Sequence, residues 1–150
     1  MQVSDIMHRE VVTVSAEDTF AHAAGLLREH RISSVVVMDG DRPAGIVTER
    51  DVVNIVAAGS DPSSVRVGQH MTTELATAEP RDDIADAARL MAQRRIRHLP
   101  VLDRGAMVGI ISIRDLMSWA VEELTGGHEL ADIERGSAAL HAAVRADPIS

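Results

Sequence analysis

The chain is a duplication. Val3–Val53 overlays Val67–Met117 at a constant offset of 64 residues without a gap, and 17 of the 51 aligned positions are identical. The densest match sets Gly45-Ile46-Val47-Thr48-Glu49-Arg50-Asp51 against Gly109-Ile110-Ile111-Ser112-Ile113-Arg114-Asp115. Met7/Met71, Thr13/Thr77, Arg31-Ile32/Arg95-Ile96 and Asp39/Asp103 keep the same register. A unit of roughly 60 residues is marginal as an independent fold, so two units sharing one core are expected. Two copies, in place of a long array, predict a closed pseudo-twofold pair with ligand sites in the cleft between them. The boundaries read as residues 1–62, 63–125 and a tail over 126–150.

Each unit carries the same signals. Val11–Val14 is a short apolar stretch, after which Ser15, with Glu17 and Asp18, reads as a helix start suited to the positive end of the dipole. Phe20, Ala23, Ala24 and Leu27 follow at helical spacing, to about His30. Ile32–Met38 is a β-branched run, and Asp39-Gly40-Asp41-Arg42 turns it into a returning strand, Ala44–Val47. Thr48 is placed to cap a second helix that Gly59 closes. In the second unit Pro80 marks the helix start, Ile84, Ala87, Ala88 and Met91 form the stripe, and Leu99–Leu102 and Met107–Ile111 form the hairpin. Ser112 caps a helix to about Leu124, stopped by Gly126-Gly127. Residues 57–66 read as the linker, and 126–150 as either a docked helix or a frayed tail. Leu26, Leu27, Ala23, Val52, Val53, Leu90, Met91, Leu116 and Met117 are more apolar helix surface than a lone pair of units needs, which predicts a homodimer.

Composition narrows the function. The chain has no Cys, which excludes disulfides, thiolate zinc sites and thiol catalysis. All 15 basic residues are Arg, so a P-loop lysine and a Schiff base are excluded too. A net charge of −8 argues against general binding to nucleic acid or an anionic membrane. No apolar run approaches a membrane span and the first ten residues lack a signal-peptide layout, so a cytoplasmic location is expected. With one Phe, one Trp and no Tyr, a bound base must lie against aliphatic side chains. Six of the histidines (His8, His22, His30, His70, His128 and His141) show no metal-ligand pairing on one element, and no nucleophile–base arrangement is discernible, which argues against an enzyme.

Two features carry chemistry. Thr48 and Ser112 each lie where a strand meets a helix N-terminus, where unpaired N–H groups and the dipole favour a phosphate. Asp51 and Asp115, three residues on, are placed to accept ribose hydroxyls. The same spacing is also a capping box, which needs no ligand. The second feature is Gln93-Arg94-Arg95-Ile96-Arg97-His98, the only dense basic cluster. Arg94 and Arg95 are explained by a helix C-terminus alone. Arg97 and His98 lie beyond it, and a planar guanidinium suits phosphate. Their counterparts in the first unit are Ser33 and Ser34, so the two sites should be unequal.

A duplicated strand–helix–strand–strand–helix unit ending in Gly-apolar-apolar-Thr/Ser-x-x-Asp resembles the CBS domain family, and the pair is similar to a Bateman module over about residues 1–125. The resemblance implies an α/β (α+β) fold of two β-α-β-β-α units packed around a pseudo-twofold axis. It also implies adenosine-containing ligands and regulation of a protein target. It makes Arg50 and Arg114 candidate phosphate contacts, equally readable as solvated arginines. One site would combine Ser112, Arg114, Asp115, Arg97 and His98 with Val11, Val12, Ile32 and Ser33. The other would combine Thr48, Arg50, Asp51 and Ser34 with Leu75, Ala76 and Ile96. The expected function is a non-catalytic regulatory module for an AMP/ADP/ATP-class ligand, acting in trans on an unidentified target and requiring no cofactor. The alternatives are a ligand-free dimerisation scaffold and an S-adenosylmethionine or NAD binder.

Overall fold

The computed structural model describes residues 1–126. In chain order the elements are α1 (Val3–Ile6), β1 (Thr13–Ser15), α2 (Phe20–His30), β2 (Ser34–Asp39), β3 (Arg42–Thr48) and α3 (Glu49–Ala57). There follow α4 (Val67–His70), α5 (Ile84–Arg94), β4 (His98–Asp103), β5 (Ala106–Ser112) and α6 (Ile113–Thr125). By compactness the chain divides into residues 1–113 and a portion from Arg114 onward.

The long helices begin four residues later than Ser15 and Pro80 suggested. Thr19 caps α2, its Oγ1 accepting from the His22 N–H at 3.1 Å, and Asp83 caps α5 by accepting from the Ala85 N–H at 2.8 Å. The intervening residues form a side-chain-closed turn instead. Asp18 Oδ2 accepts from the Ser15 N–H, and Asp82 Oδ2 from the Glu79 N–H, both at 2.8 Å. Asp residues readily close such turns on nearby backbone N–H groups, which competes with helix propagation. Beyond the caps, Phe20, Ala23 and Leu27 of α2 and Ile84, Ala87 and Met91 of α5 are buried at matching spacing.

The first sheet has order β1-β2-β3, with β1 parallel and β3 antiparallel to β2. The second sheet keeps only β4-β5, and the counterpart of β1 is a single parallel bridge from Ala78 to Val101. Ala76 and Ala78 stand where the first repeat has Val12 and Val14, and alanine lacks the branched side chain that packs well on a pleated surface. Both hairpins carry an extra residue at the same place, Ala44 and Val108, where the register slips. The second hairpin turns through Arg104 (φ 51°) and Gly105 (φ 84°), the two positive φ values of a tight I′ turn.

Two short helices escaped the sequence reading, and they bind the repeats together. α1 opens the first repeat but docks on the start of α5: the Val3 N–H donates to Asp82 O at 2.9 Å and the Ile84 N–H to Met1 O at 3.2 Å. α4 opens the second repeat and docks on the start of α2, with the Val67 N–H donating to Asp18 O at 2.8 Å and the Phe20 N–H to Val65 O at 3.0 Å. The chain then continues along the edge of the same partner: His8 pairs with Ile110 in β5, and Thr72 with Ile46 in β3. These close passages explain two glycines in register. A Cβ at Gly45 would lie 2.6 Å from Met71 Sδ and 3.0 Å from Thr72 O, and one at Gly109 would lie 2.7 Å from His8 O.

One core cluster unites Phe20, Leu27, Val35, Val37, Val47 and Ile55 with Val67, the first residue of α4. β3 and β5 lie against one another. The mixed α+β architecture of two repeated units therefore matches expectation, with the opening segments exchanged between the repeats. In α6, Leu116 is buried, and Gly126 (φ 62°) follows its end. The expected helix or tail falls almost wholly outside the described residues.

The surface proposed for dimerisation needs correction. Ala23, Leu27, Met91 and Leu116 are buried within the chain and are not offered to a partner. Among the described residues the exposed large apolar side chains are Met1, Val53 and Val56 on α3, and Met117 and Leu124 on α6. No helix among the described residues is long and apolar enough to cross a membrane.

Candidate functional site

A cleft of about 320 Å³ opens within residues 1–113, a size at the lower end of ligand pockets, roughly 300–1,000 Å³. Strand alternation builds two of its walls. Ile46 and Thr48 of β3 and His98 and Pro100 of β4 face it at the two-residue strand period, and Arg50 of α3 and the run Arg95-Ile96-Arg97 before β4 extend the lining beyond the strands. The lining also runs from inside to outside. Ile46 and Pro100 are buried, Thr48 and His98 half-buried, and Arg50, Arg95 and Arg97 exposed. The third wall is the segment with Thr72, Glu74, Leu75 and Ala76. The cleft thus has an apolar floor, a polar middle and a cationic mouth.

Three guanidinium groups face a single carboxylate, Glu74, in a chain of net charge −8. None of Arg50, Arg95 and Arg97 has an ion-pair partner among the described residues. The N-terminus of α3 is also here. Thr48 and Asp51 form a reciprocal capping box: the Thr48 N–H donates to Asp51 Oδ2 at 2.8 Å and the Asp51 N–H to Thr48 Oγ1 at 3.4 Å. The Thr48 hydroxyl donates to the same carboxylate oxygen at 3.1 Å. The capping role of this motif is therefore realised, with Oδ2 of Asp51 occupied by it. Among the described residues no group of His, Asp and Glu is arranged to hold a metal ion.

The sequence-derived residues divide as follows. Thr48, Arg50, Leu75, Ala76 and Ile96 line one cleft. Arg97 and His98, assigned to the Ser112 site, line the Thr48 cleft instead. The reason is the pairing of the repeats: the approach to β4 faces the strand–helix junction of the other repeat. Arg95, explained in the sequence as a helix end, lines the cleft too, as do Thr72 and Glu74, which no motif marked. Asp51 and Ser34 do not line it, and Ser34 is buried at 6% exposure opposite Thr48 in the sheet. Ser33 reaches His98, its Oγ sharing a 2.8 Å hydrogen bond with Nε2, the donor set by the tautomer. Val11, Val12 and Ile32 are half-buried, and Val12 and Ile32 pack against the core of the first repeat. Ser112 is half-buried at the end of β5, and Arg114, exposed, and Asp115, half-buried, lie in the first turn of α6.

The chain is similar to known proteins over both repeats. The CBS domain family matches twice, over residues 3–58 and 67–122. The CBS domain-containing protein YhcV of Bacillus subtilis is 33% identical over 131 residues, 87% of this chain and 94% of that protein. A CBS domain protein from Pyrobaculum aerophilum, solved in complex with AMP, superposes with a TM-score of 0.73 at 28% identity, covering 77% of this chain and 90% of that one. A hexameric CBS-CP12 protein from bloom-forming cyanobacteria does so with a TM-score of 0.74 at 32% identity, covering 97% of this chain and 85% of that one. The two matched stretches are the two copies of the duplication, and the chain belongs to the CBS domain family as a tandem pair.

Proposed function

We propose that this CBS pair is a regulatory, non-catalytic module that binds a phosphorylated adenosine of the AMP/ADP/ATP class in the Thr48 cleft. One observation carries the reading: in an acidic chain, three arginines and a helix N-terminus converge on the mouth of a cleft whose floor is apolar. Charge-assisted hydrogen bonds are roughly twice as strong as neutral ones, so the mouth favours an anion. The base lies among Leu75, Ala76 and Ile96, since no Phe, Tyr or Trp lines the cleft. The nucleotide is a regulatory ligand, no cofactor is required, and the module regulates a protein target. The AMP complex of the Pyrobaculum aerophilum relative supports the ligand class.

A panel of adenosine, AMP, ADP, ATP, S-adenosylmethionine and NAD, read by thermal shift, tests it, because a ligand of the native state raises apparent stability by mass action. Phosphorylated adenosines should raise the melting temperature more than adenosine, with the gap narrowing as salt rises. Equal shifts for adenosine and AMP would remove the phosphate role. A scaffold with empty clefts is the second reading, favoured by the self-satisfied Thr48–Asp51 cap, and a flat response across the panel would establish it.

The module self-associates as a homodimer in this reading. Val53 and Val56, at 62% and 59% exposure, lie three residues apart on α3, a spacing that puts both on one face. The hexameric cyanobacterial relative supports self-association. Val53→Glu should halve the mass seen by light scattering at micromolar concentration, and a wild-type monomer would refute the dimer.

A further inference from the structure

Arginine occupies the C-cap of both long repeat-related helices in the left-handed conformation, Arg31 at φ 54° and Arg95 at φ 55°. Glycine or asparagine suits that conformation better, because a longer side chain crowds the backbone there. The backbone task is the same in both copies, with the cap N–H returning to Leu27 O in one and to Ala92 O and Met91 O in the other. A helix-end cation would serve equally at either. The surroundings differ: Arg95 lines the cleft mouth and Arg31 does not line the cleft. Arg95 has no ion pair among the described residues, so the fold itself leaves its charge unused.

Charge balance indicates what that guanidinium is for. Arg50 and Arg97 suffice for the two negative charges of a monophosphate held at the α3 N-terminus. Each further phosphate brings more negative charge toward the mouth, where Glu74 repels it. Arg95 is the third cation of the lining, the one left over once Arg50 and Arg97 have met a monophosphate. It lies three residues before His98 on the approach to β4, among the exposed lining residues.

We infer that Arg95 is a specificity-determining residue that grades ligands by phosphate number: its guanidinium binds the outer phosphates of an adenosine di- or triphosphate and adds little for the monophosphate. This rests on the adenine-nucleotide reading of the Thr48 cleft. The test is calorimetric titration of AMP and ATP into the wild type, Arg95→Gly and Arg31→Gly, with Arg95→Asn as a second variant that also tolerates the left-handed conformation. Arg95→Gly should weaken ATP about tenfold and AMP less than about twofold, as expected for loss of one charge-assisted contact. Its melting temperature should hold or rise, because glycine relieves the cap. Arg31→Gly should change neither affinity. If both Arg95 variants keep the wild-type ratio of ATP to AMP affinity, the inference is overturned while the nucleotide reading stands. Equal weakening of AMP and ATP overturns the grading as well. A wild type that binds neither nucleotide overturns both.

Discussion

The two repeats share most of their backbone, the lone Ala78–Val101 bridge in place of β1 aside, and part company in the side chains around one cleft. Shared features lie in register: the left-handed caps at Arg31 and Arg95, the bulges at Ala44 and Val108, the turns closed by Asp18 and Asp82, and the exchanged helices α1 and α4. The differences lie where the second repeat meets the Thr48 cleft. Arg97 and His98 line it, while the first repeat has Ser33 and Ser34 at those positions, Ser34 being buried in its sheet. Packing constrains both copies alike, because each opening segment must cross to the other. Charge at a cleft mouth is under no such constraint, so there the copies have separated.

The shared part is broken most severely at the crossings. A Cβ at Gly109 meets the backbone oxygen of His8 at 2.7 Å, whereas the nearest atoms at Gly45 belong to the flexible Met71 side chain. Gly109→Ala should therefore cost about 1–3 kcal/mol in urea denaturation, the range of overpacking, and Gly45→Ala less. Equal small losses would mean that the crossings yield easily.

The unshared part is addressed by Arg97→Ala, which should weaken AMP about tenfold and flatten its salt dependence, one charge-assisted contact being lost. Ser33→Ala, at the repeat-related position, should not approach that loss. If the two variants weaken AMP equally, the charge difference between the repeats has no bearing on binding.

How far the sequence carried these distinctions depends on whether a signal was local. The hairpins, the Thr48 cap and the apolar stripes of α2 and α5 were legible because each rests on residues a few positions apart. The helix starts were misplaced because Asp18 looks like a dipole partner and Pro80 like a first helical residue until the Asp18 and Asp82 carboxylates are seen closing turns. The exchange of α1 and α4 left only Gly45 and Gly109 as traces, and a glycine in a strand signals a close approach without naming what approaches. The same exchange moved Arg97 and His98 to the other repeat's cleft. Residue type showed that this pair was suited to an anion, but only the topology decides whose helix N-terminus it faces.

Thr48 and Asp51 test whether a shared motif does the same work in both copies. Asp51→Ala removes half of the capping box and leaves the Thr48 N–H without its acceptor. The expected cost is about 1 kcal/mol by thermal denaturation, with AMP affinity falling less than in Arg97→Ala because Asp51 does not line the cleft. An affinity loss exceeding that of Arg97→Ala would restore Asp51 as a direct ribose contact.

The smallest effect should come from the tie between the copies, the 2.8 Å hydrogen bond between Ser33 Oγ and His98 Nε2. Ser33 is the first repeat's counterpart of Arg97, and instead of presenting charge it holds a ring that lines the cleft. Its removal leaves an imidazole nitrogen to find water, which is cheap because the site is only half-buried. Ser33→Ala should therefore cost roughly 0.5 kcal/mol of stability, toward the lower end for a net hydrogen bond. AMP affinity should change by less than about threefold, through a loosened ring and not through a lost contact. Ser33→Thr, which keeps the hydroxyl, should restore most of it. A large loss in Ser33→Ala that threonine does not rescue would mean that Ser33 meets the ligand itself, and that the repeats contribute to the cleft more evenly than their charges suggest.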